Sequence, residues 1–224
     1  MFPRPLAMVA LLLALASPAT AATLLRLSDT ATLRVPPDEL VADLRASATA
    51  PSAAAAQGAV NRAIAEVLDA ARKQSGVTVG TGGYGTWQHP PGSPGAGTWQ
   101  ASQDLTLTAR DGAGLLRFVG VLQGRGLAVA SLSWTLSPAA REAAEQQAMA
   151  RALKALRGRA AAAAGLLGLR FVAFRTVTLG APPQIMPRAM FSGAALAAIP
   201  APSAVGSAIA VSATVSAEAD LEPK

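Results

Sequence analysis

Cysteine is absent from this 224-residue chain. That removes disulfides, thiol nucleophiles and thiolate metal sites from consideration, and a cysteine-borne lipid anchor with them. Histidine occurs once, at His89. A Ser–His–acid triad could draw on no other imidazole, and no Gly-x-Ser-x-Gly elbow is present to hold a nucleophile. A lone histidine at the edge of a loop, with no second histidine or acidic cluster near it, reads as a surface polar residue rather than a metal ligand. Neither a metal nor another cofactor is expected. Charge is also scarce: 14% of residues are charged, and the net +6 comes from 19 Lys and Arg against 13 Asp and Glu. The densest basic cluster, Arg151, Lys154, Arg157 and Arg159, falls along one side of a helix and reads as a solvated face, so no nucleic-acid partner is expected. Past the N-terminus no apolar run is long enough to span a bilayer. The mature chain is therefore expected to lack a transmembrane segment.

What is present begins with an export signal over residues 1–21. Arg4 supplies the positive end, Leu6 to Ala16 the apolar stretch, Pro18 the break and Ala19-Thr20-Ala21 a small-x-small cleavage site. The apolar stretch is too short to cross a membrane comfortably. Cleavage after Ala21 would place residues 22–224 in the periplasm, or at the outer membrane.

The mature chain alternates strand and helix signals. Leu24 to Val35 reads as a strand with a break near Ser28-Asp29. Pro36-Pro37 forces a turn, because proline fixes its own φ and restrains its predecessor. Leu40 to Thr49 alternates apolar and polar residues, the pattern of a half-exposed strand. Pro51-Ser52 opens a helix, with Ser52 or Thr49 as its cap, carrying Val60, Ile64, Val67, Leu68 and Ala71 on one stripe and closed by Gly76. Val77 to Gln88 is extended and glycine-rich. Its Gly80, Gly82, Gly83 and Gly85 do not open a helix that could receive a phosphate, so a bulge or a close backbone approach is the better reading. His89 to Gly97 is a hairpin loop by composition. Trp99 to Asp111 is the clearest strand, with Ala101, Gln103, Leu105, Leu107 and Ala109 on one face and polar residues on the other.

Asp111 then caps a short helix bearing Leu115, Leu116, Phe118, Val119 and Leu122. In the next strand, Leu127 to Leu136, strict alternation sets Leu127 and Val129 on the face opposite Leu132, Trp134 and Leu136. Ser137-Pro138 opens a long alanine-rich helix, softened at Gly158. Phe171 to Leu179 and Ser207 to Glu218 are the last two strands. Between them runs a long Pro, Ala, Gly and Ser-rich loop over 180–206 containing Met186, Met190 and Phe191; loops of such length are usually functional or disordered. The order β-β-α-β-β-α-β-α-β-β contains two strand–helix–strand–strand successions, over 40–109 and 127–218. It predicts an α+β fold of antiparallel sheets with helices packed on one face.

Several of these pieces, in this order, resemble the SIMPL-domain family of exported bacterial proteins. They are Pro37-Asp38-Glu39-Leu40-Val41 at a strand entry, Gly76-Val77 running to Tyr84, Trp99 to Asp111, Ser133-Trp134-Thr135-Leu136-Ser137 at a strand-to-helix junction, and the Leu167-Gly168 turn. Two positions depart from the family pattern: Gly80 stands where an aspartate is usual, and Leu156-Arg-Gly-Arg-Ala160 replaces a Lys-Ala-Glu pattern. The resemblance implies a periplasmic or surface α+β protein. Some members are linked to oxidative-stress defence, some are outer-membrane-associated antigens, and some assemble into large rings. It implies no catalytic residue.

The expectation is thus a non-enzymatic binding or scaffold protein of the cell envelope that self-associates and contacts envelope components. Candidate contacts are Tyr84, Trp87 and Trp99 around the hairpin, and Met186, Met190 and Phe191 in the long loop. The rival readings are an envelope hydrolase and a sugar-binding module that stacks ligand on Tyr84, Trp87 and Trp99. Against the latter stands the plainer reading that these rings pair across strands and pack in the core.

Overall fold

A computed structural model describes residues 23–180 and 206–224. Residues 1–21, expected as an export signal, and the Met186, Met190 and Phe191 segment lie outside the described residues. The element order is the expected one: β1 (Thr23–Val35), β2 (Glu39–Ala50), α1 (Ala53–Ala71), β3 (Val77–Gln88), β4 (Trp99–Ala109), α2 (Gly112–Gly124), β5 (Ala128–Thr135), α3 (Pro138–Leu166), β6 (Leu169–Gly180) and β7 (Ile209–Pro223).

The strands form two open antiparallel sheets. One has four strands in the order β3-β4-β2-β5; the other has three in the order β1-β7-β6. The sheets divide the chain differently from the two strand–helix–strand–strand successions. β5 joins β2 in the larger sheet, and β1 pairs with β7 from the opposite end of the chain. Residues of β2 to β5 thus form a β-α-β-β-α-β unit with the split βαβ order of the ferredoxin-like arrangement. That unit is inserted between β1 and α3 of the smaller sheet.

Alternation along β2 buries Leu40, Ala42, Leu44 and Ala46, and β4 adds Ala101, Leu105, Leu107 and Ala109. α1 and α2 cover this face with Val60, Ile64, Val67, Leu115, Phe118, Val119 and Leu122, which completes the main core. Both helices start where expected. Ser52 Oγ accepts from the Ala55 amide at 3.2 Å and Asp111 Oδ1 from the Gly114 amide at 3.0 Å, each satisfying one of the donors that a helix start leaves free.

Two bulges interrupt the larger sheet: the one in β5 corrects the alternation read from sequence, and the one in β3 falls in the glycine run, where it was expected. In β5, Asp43 of β2 opposes Ser131 while its neighbour Leu44 opposes Val129, so Ala130 is an extra residue. This bulge returns Leu132 and Trp134 to the face already taken by Leu127 and Val129, and all four meet the core. In β3, Gly82 and Gly83 together oppose Asp104 alone, between the Thr81↔Leu105 and Tyr84↔Gln103 pairs. A Cβ on Gly82 would lie 3.3 Å from the Asp104 Cβ. The glycine run therefore serves backbone approach.

The smaller sheet is covered by α3. Ala144, Ala148, Ala152, Leu156, Ala160 and Ala164 are buried along it at every fourth position, and the small side chains let the helix lie close to the sheet. Ala144 packs with Leu136 and Val211, Ala148 with Leu33 and Ala213, and Ala152 and Leu156 with Val215 and Ala217. α3 continues through Gly158 without interruption. The break expected in β1 is absent as well: all 13 residues pair in register with β7. Asp29 can stay in the strand although it points toward the helix side, because Arg159 of α3 reaches it, Nη1 to Oδ2 at 3.1 Å.

Candidate functional site

The chain passes between the two sheets twice, at residues 36–38 and at 136–137. These crossings are fastened to each other. Asp38 accepts from the Ser137 amide (Oδ1, 2.7 Å) and from the Ser137 hydroxyl (Oδ2, 2.6 Å), and the Asp38 amide donates to the Thr135 carbonyl at 3.1 Å. Ser137 is the one buried polar residue among those described, and its Oγ also accepts from the Ala140 amide at 3.3 Å as the cap of α3. The bonds from Ser137 hold the Asp38 carboxyl below the usual carboxylate range, helped by the nearby charge of Arg110 and opposed by partial burial. Two segments singled out in the sequence, Pro37 to Val41 and Ser133 to Ser137, thus meet as a structural joint.

The face of the larger sheet away from the helices is polar. Asp43, at its centre, accepts from Thr106 Oγ1 at 2.8 Å and from Ser131 Oγ at 2.7 Å, which links β4, β2 and β5. Beside it Arg45 grips Asp104 across the strands, Nε to Oδ1 at 2.7 Å and Nη2 to Oδ2 at 3.2 Å. The guanidinium bonds lower the Asp104 carboxyl below its ordinary value and raise Arg45 above its own. General acids need carboxyls raised toward neutrality; among the described residues the two shifted carboxyls, Asp38 and Asp104, move the opposite way.

The hairpin does not assemble its three rings into one platform. Opposite residues of an antiparallel pair share a face. Tyr84 opposes Gln103 and Trp99 opposes Gln88, on the helix-covered face; Trp87 opposes Gln100, on the polar face. Trp99 is half-buried and packs against the main core, whereas Tyr84 and Trp87 are 46% and 43% exposed. Gln57 of α1 reaches this end of β3, Nε2 to Thr86 Oγ1 at 3.1 Å. His89 is held by its backbone, its amide donating to the Thr98 carbonyl at 2.9 Å, and no group of three His, Cys, Asp or Glu that could hold a metal occurs among the described residues.

One concavity among the described residues was missed in the sequence reading. A groove of about 750 Å³ separates α1 from α2 above β3 and β4. Ala70, Val77, Ala109, Leu115, Phe118 and Val121 provide apolar lining, and Glu66, Lys73, Arg117 and Arg125 stand among the charged residues around it. The Asp69 carboxylate beside them pairs with Arg72 at 2.7 Å. The signal was available in α2. Val121 lies off the buried stripe of Leu115, Phe118 and Leu122 and is 53% exposed, with Arg117 and Arg125 four residues to either side of it on the same flank.

Against known proteins, residues 25–219 match one family model, SIMPL, described as a protein of unknown function (DUF541). No curated protein matches the chain. No helix among the described residues is long and apolar enough to cross a membrane.

Proposed function

Since the chain belongs to the SIMPL family, whose function is unknown, we propose that it is an exported, non-enzymatic binding or scaffold protein of the cell envelope that self-associates and serves in envelope stress defence. Export is supported by Arg4, the Leu6 to Ala16 stretch and the Ala19-Thr20-Ala21 site. The observation that carries the non-enzymatic reading is the use of the central polar groups. Asp38, Asp43 and Asp104 are each bonded across strands or junctions, which fixes the framework and leaves none poised with a partner base. The groove between α1 and α2 is the place for a ligand, because it joins an apolar lining to a few charged side chains.

Three measurements test this reading. Cell fractionation should recover a chain beginning at Ala22 in the periplasm; an uncleaved chain in the cytoplasm would remove the export claim. Light scattering of the purified mature protein should give a mass above that of the monomer. A hydrolase panel should show no turnover, and any activity lost in His89→Ala would establish the rival enzyme reading.

A further inference from the structure

Two open sheets leave four edges, each a row of backbone N–H and C=O groups that another strand can take up. Among the described residues the edges are β3 and β5 in the larger sheet and β1 and β6 in the smaller. Three of the four are interrupted: β3 at Gly82-Gly83, β5 at Ala130, and β6 twice, at Val172 and at Arg175. A bulge twists an edge and spoils the even spacing of its donors and acceptors, and it is a common guard against pairing with another chain. β1 carries no bulge. It runs in unbroken register from Thr23↔Leu221 to Val35↔Ile209. Its guards are charges: Arg26 and Arg34 on the outer face, and Asp29 on the helix side, where Arg159 Nη1 binds Asp29 Oδ2 and also donates to the Ser28 carbonyl at 3.2 Å.

We propose that β1 is the edge through which two copies of this chain join, β1 against β1, antiparallel about a two-fold axis, so that the two smaller sheets become one continuous sheet. This rests on the self-associating scaffold reading and names the surface for it. A two-fold contact requires a strip that complements itself, and β1 does so. Its outer row is Arg26, Ser28, Thr30, Thr32 and Arg34; its helix-side row is Leu25, Leu27, Asp29, Ala31, Leu33 and Val35. About its middle, antiparallel self-pairing sets Thr30 against Thr32 and Ala31 against Ala31, or Thr32 against Thr32 and Ala31 against Leu33, and leaves the Asp29 that Arg159 holds opposite Leu33 or Val35. β1 already sets hydroxyl against hydroxyl with β7, where the hydroxyls of Thr30 and Thr214, and of Thr32 and Ser212, are each 2.8 Å apart.

Charge selects the register. A two-fold at Asp29 would oppose two carboxylates, and one at Thr30 would oppose Arg26 to Arg34; like charges directly opposite are unfavourable. An axis at Ala31 or Thr32 avoids both and lies beyond the segment that Arg159 occupies.

The absence of cysteine makes this testable with single thiols. Ser28→Cys, Thr30→Cys, Thr32→Cys and Arg34→Cys place one thiol each along β1; Thr78→Cys, Ser133→Cys and Thr176→Cys do so on β3, β5 and β6. Thiols join only where their Cα atoms come within about 7 Å. Mild oxidation of the mature protein at micromolar concentration should give a disulfide dimer from Thr32→Cys alone if the axis is at Thr32, or from an equimolar mixture of Thr30→Cys and Thr32→Cys if it is at Ala31, with little from Ser28→Cys or Arg34→Cys alone, which lie several residues from the axis, and none from the other three strands. Wild-type protein should form at least a dimer by light scattering. A wild-type monomer overturns both the β1 contact and self-association. An oligomer that crosslinks from β3, β5 or β6, or equally from every position, overturns the β1 contact alone.

Discussion

The Asp38 carboxylate holds Ser137 by both its amide, at 2.7 Å, and its hydroxyl, at 2.6 Å, across 99 residues of sequence. The bond pair fixes the two points where the chain leaves and re-enters the smaller sheet, and it orients the cap of α3. Hydrogen bonds to a charged group contribute about 1.5–3 kcal/mol each, and loss of the carboxylate would leave a buried hydroxyl short of a partner. Asp38→Ala should lower the unfolding free energy by about 2–3 kcal/mol in urea titration, with Asp38→Asn less severe.

The same residue should give stability an acid dependence of definite sign. The folded carboxyl titrates below its ordinary value of 3.8, so between the two values the unfolded chain binds more protons and stability rises with pH. The contribution is complete at neutral pH. It begins to be lost as the pH falls toward 3.8 and is gone below the lowered folded value. Urea midpoints measured downward from pH 6 should decline more steeply for the wild type than for Asp38→Asn. Parallel slopes would place the acid dependence elsewhere.

Gly112 opens α2 directly beneath the Trp134 ring, and a Cβ built there would run into Cη2 and Cζ2 of the indole. Neither backbone strain nor a left-handed conformation is involved; the limit is space. Gly112→Ala should cost about 1–3 kcal/mol through overpacking, read by thermal unfolding and by a shift in tryptophan emission. Gly120→Ala, in the same helix with nothing within 4 Å of its Cβ position, should be neutral or stabilising.

Deletion of Ala130 removes the bulge in β5. Without it, strict alternation alone keeps Leu127, Val129, Leu132 and Trp134 on the core face, in the pairing with β2 that they already have. The deletion should therefore be tolerated, at a cost under about 1 kcal/mol in urea titration; a loss of several kcal/mol would show that the bulge does more than restore the alternation. Ala130→Ser, at an exposed position, should change stability little.

The three hairpin aromatics should separate by role. Trp99→Ala should lower stability by about 2–3 kcal/mol because the ring packs on the main core. Trp87→Ala and Tyr84→Ala, both at exposed rings, should cost under about 1 kcal/mol. If a sugar ligand is found, its affinity should respond to Trp87 or Tyr84 but not to both, since the two lie on opposite faces of β3.

Element order, helix caps and the buried faces of β2 and β4 were legible from sequence because each depends on local periodicity or on one capping residue. The bulge in β5 was not: Ala130 is defined by the strand opposite it, and a one-residue slip there leaves no mark in composition. The bulge in β3 was marked by its glycines, though only the pairing shows that Gly82 and Gly83 share Asp104. Sheet membership escaped for a related reason: nothing local in Thr23 to Val35 says that its partner is Ile209 to Pro223. The Asp38 and Ser137 segments were both noticed, yet only the folded chain shows that they touch. The groove between α1 and α2 was missed because its floor, including Leu115 and Phe118, reads as ordinary core, and its rim comes from flanks of two helices that only the folded chain sets side by side.

The pairing of the first strand with the last also sets an order of events. Thr30 and Thr214, whose hydroxyls touch, are 184 residues apart, so a chain made from its N-terminus carries β1 without its ladder until nearly the whole polypeptide has emerged. The inserted β2 to β5 unit has its own core and only short-range closures by comparison, and it should fold first. During that interval β1 offers two free edges instead of one. Its Arg26, Asp29 and Arg34 are then the charges that keep a nascent, hydroxyl-rich strand in solution until its own C-terminus arrives.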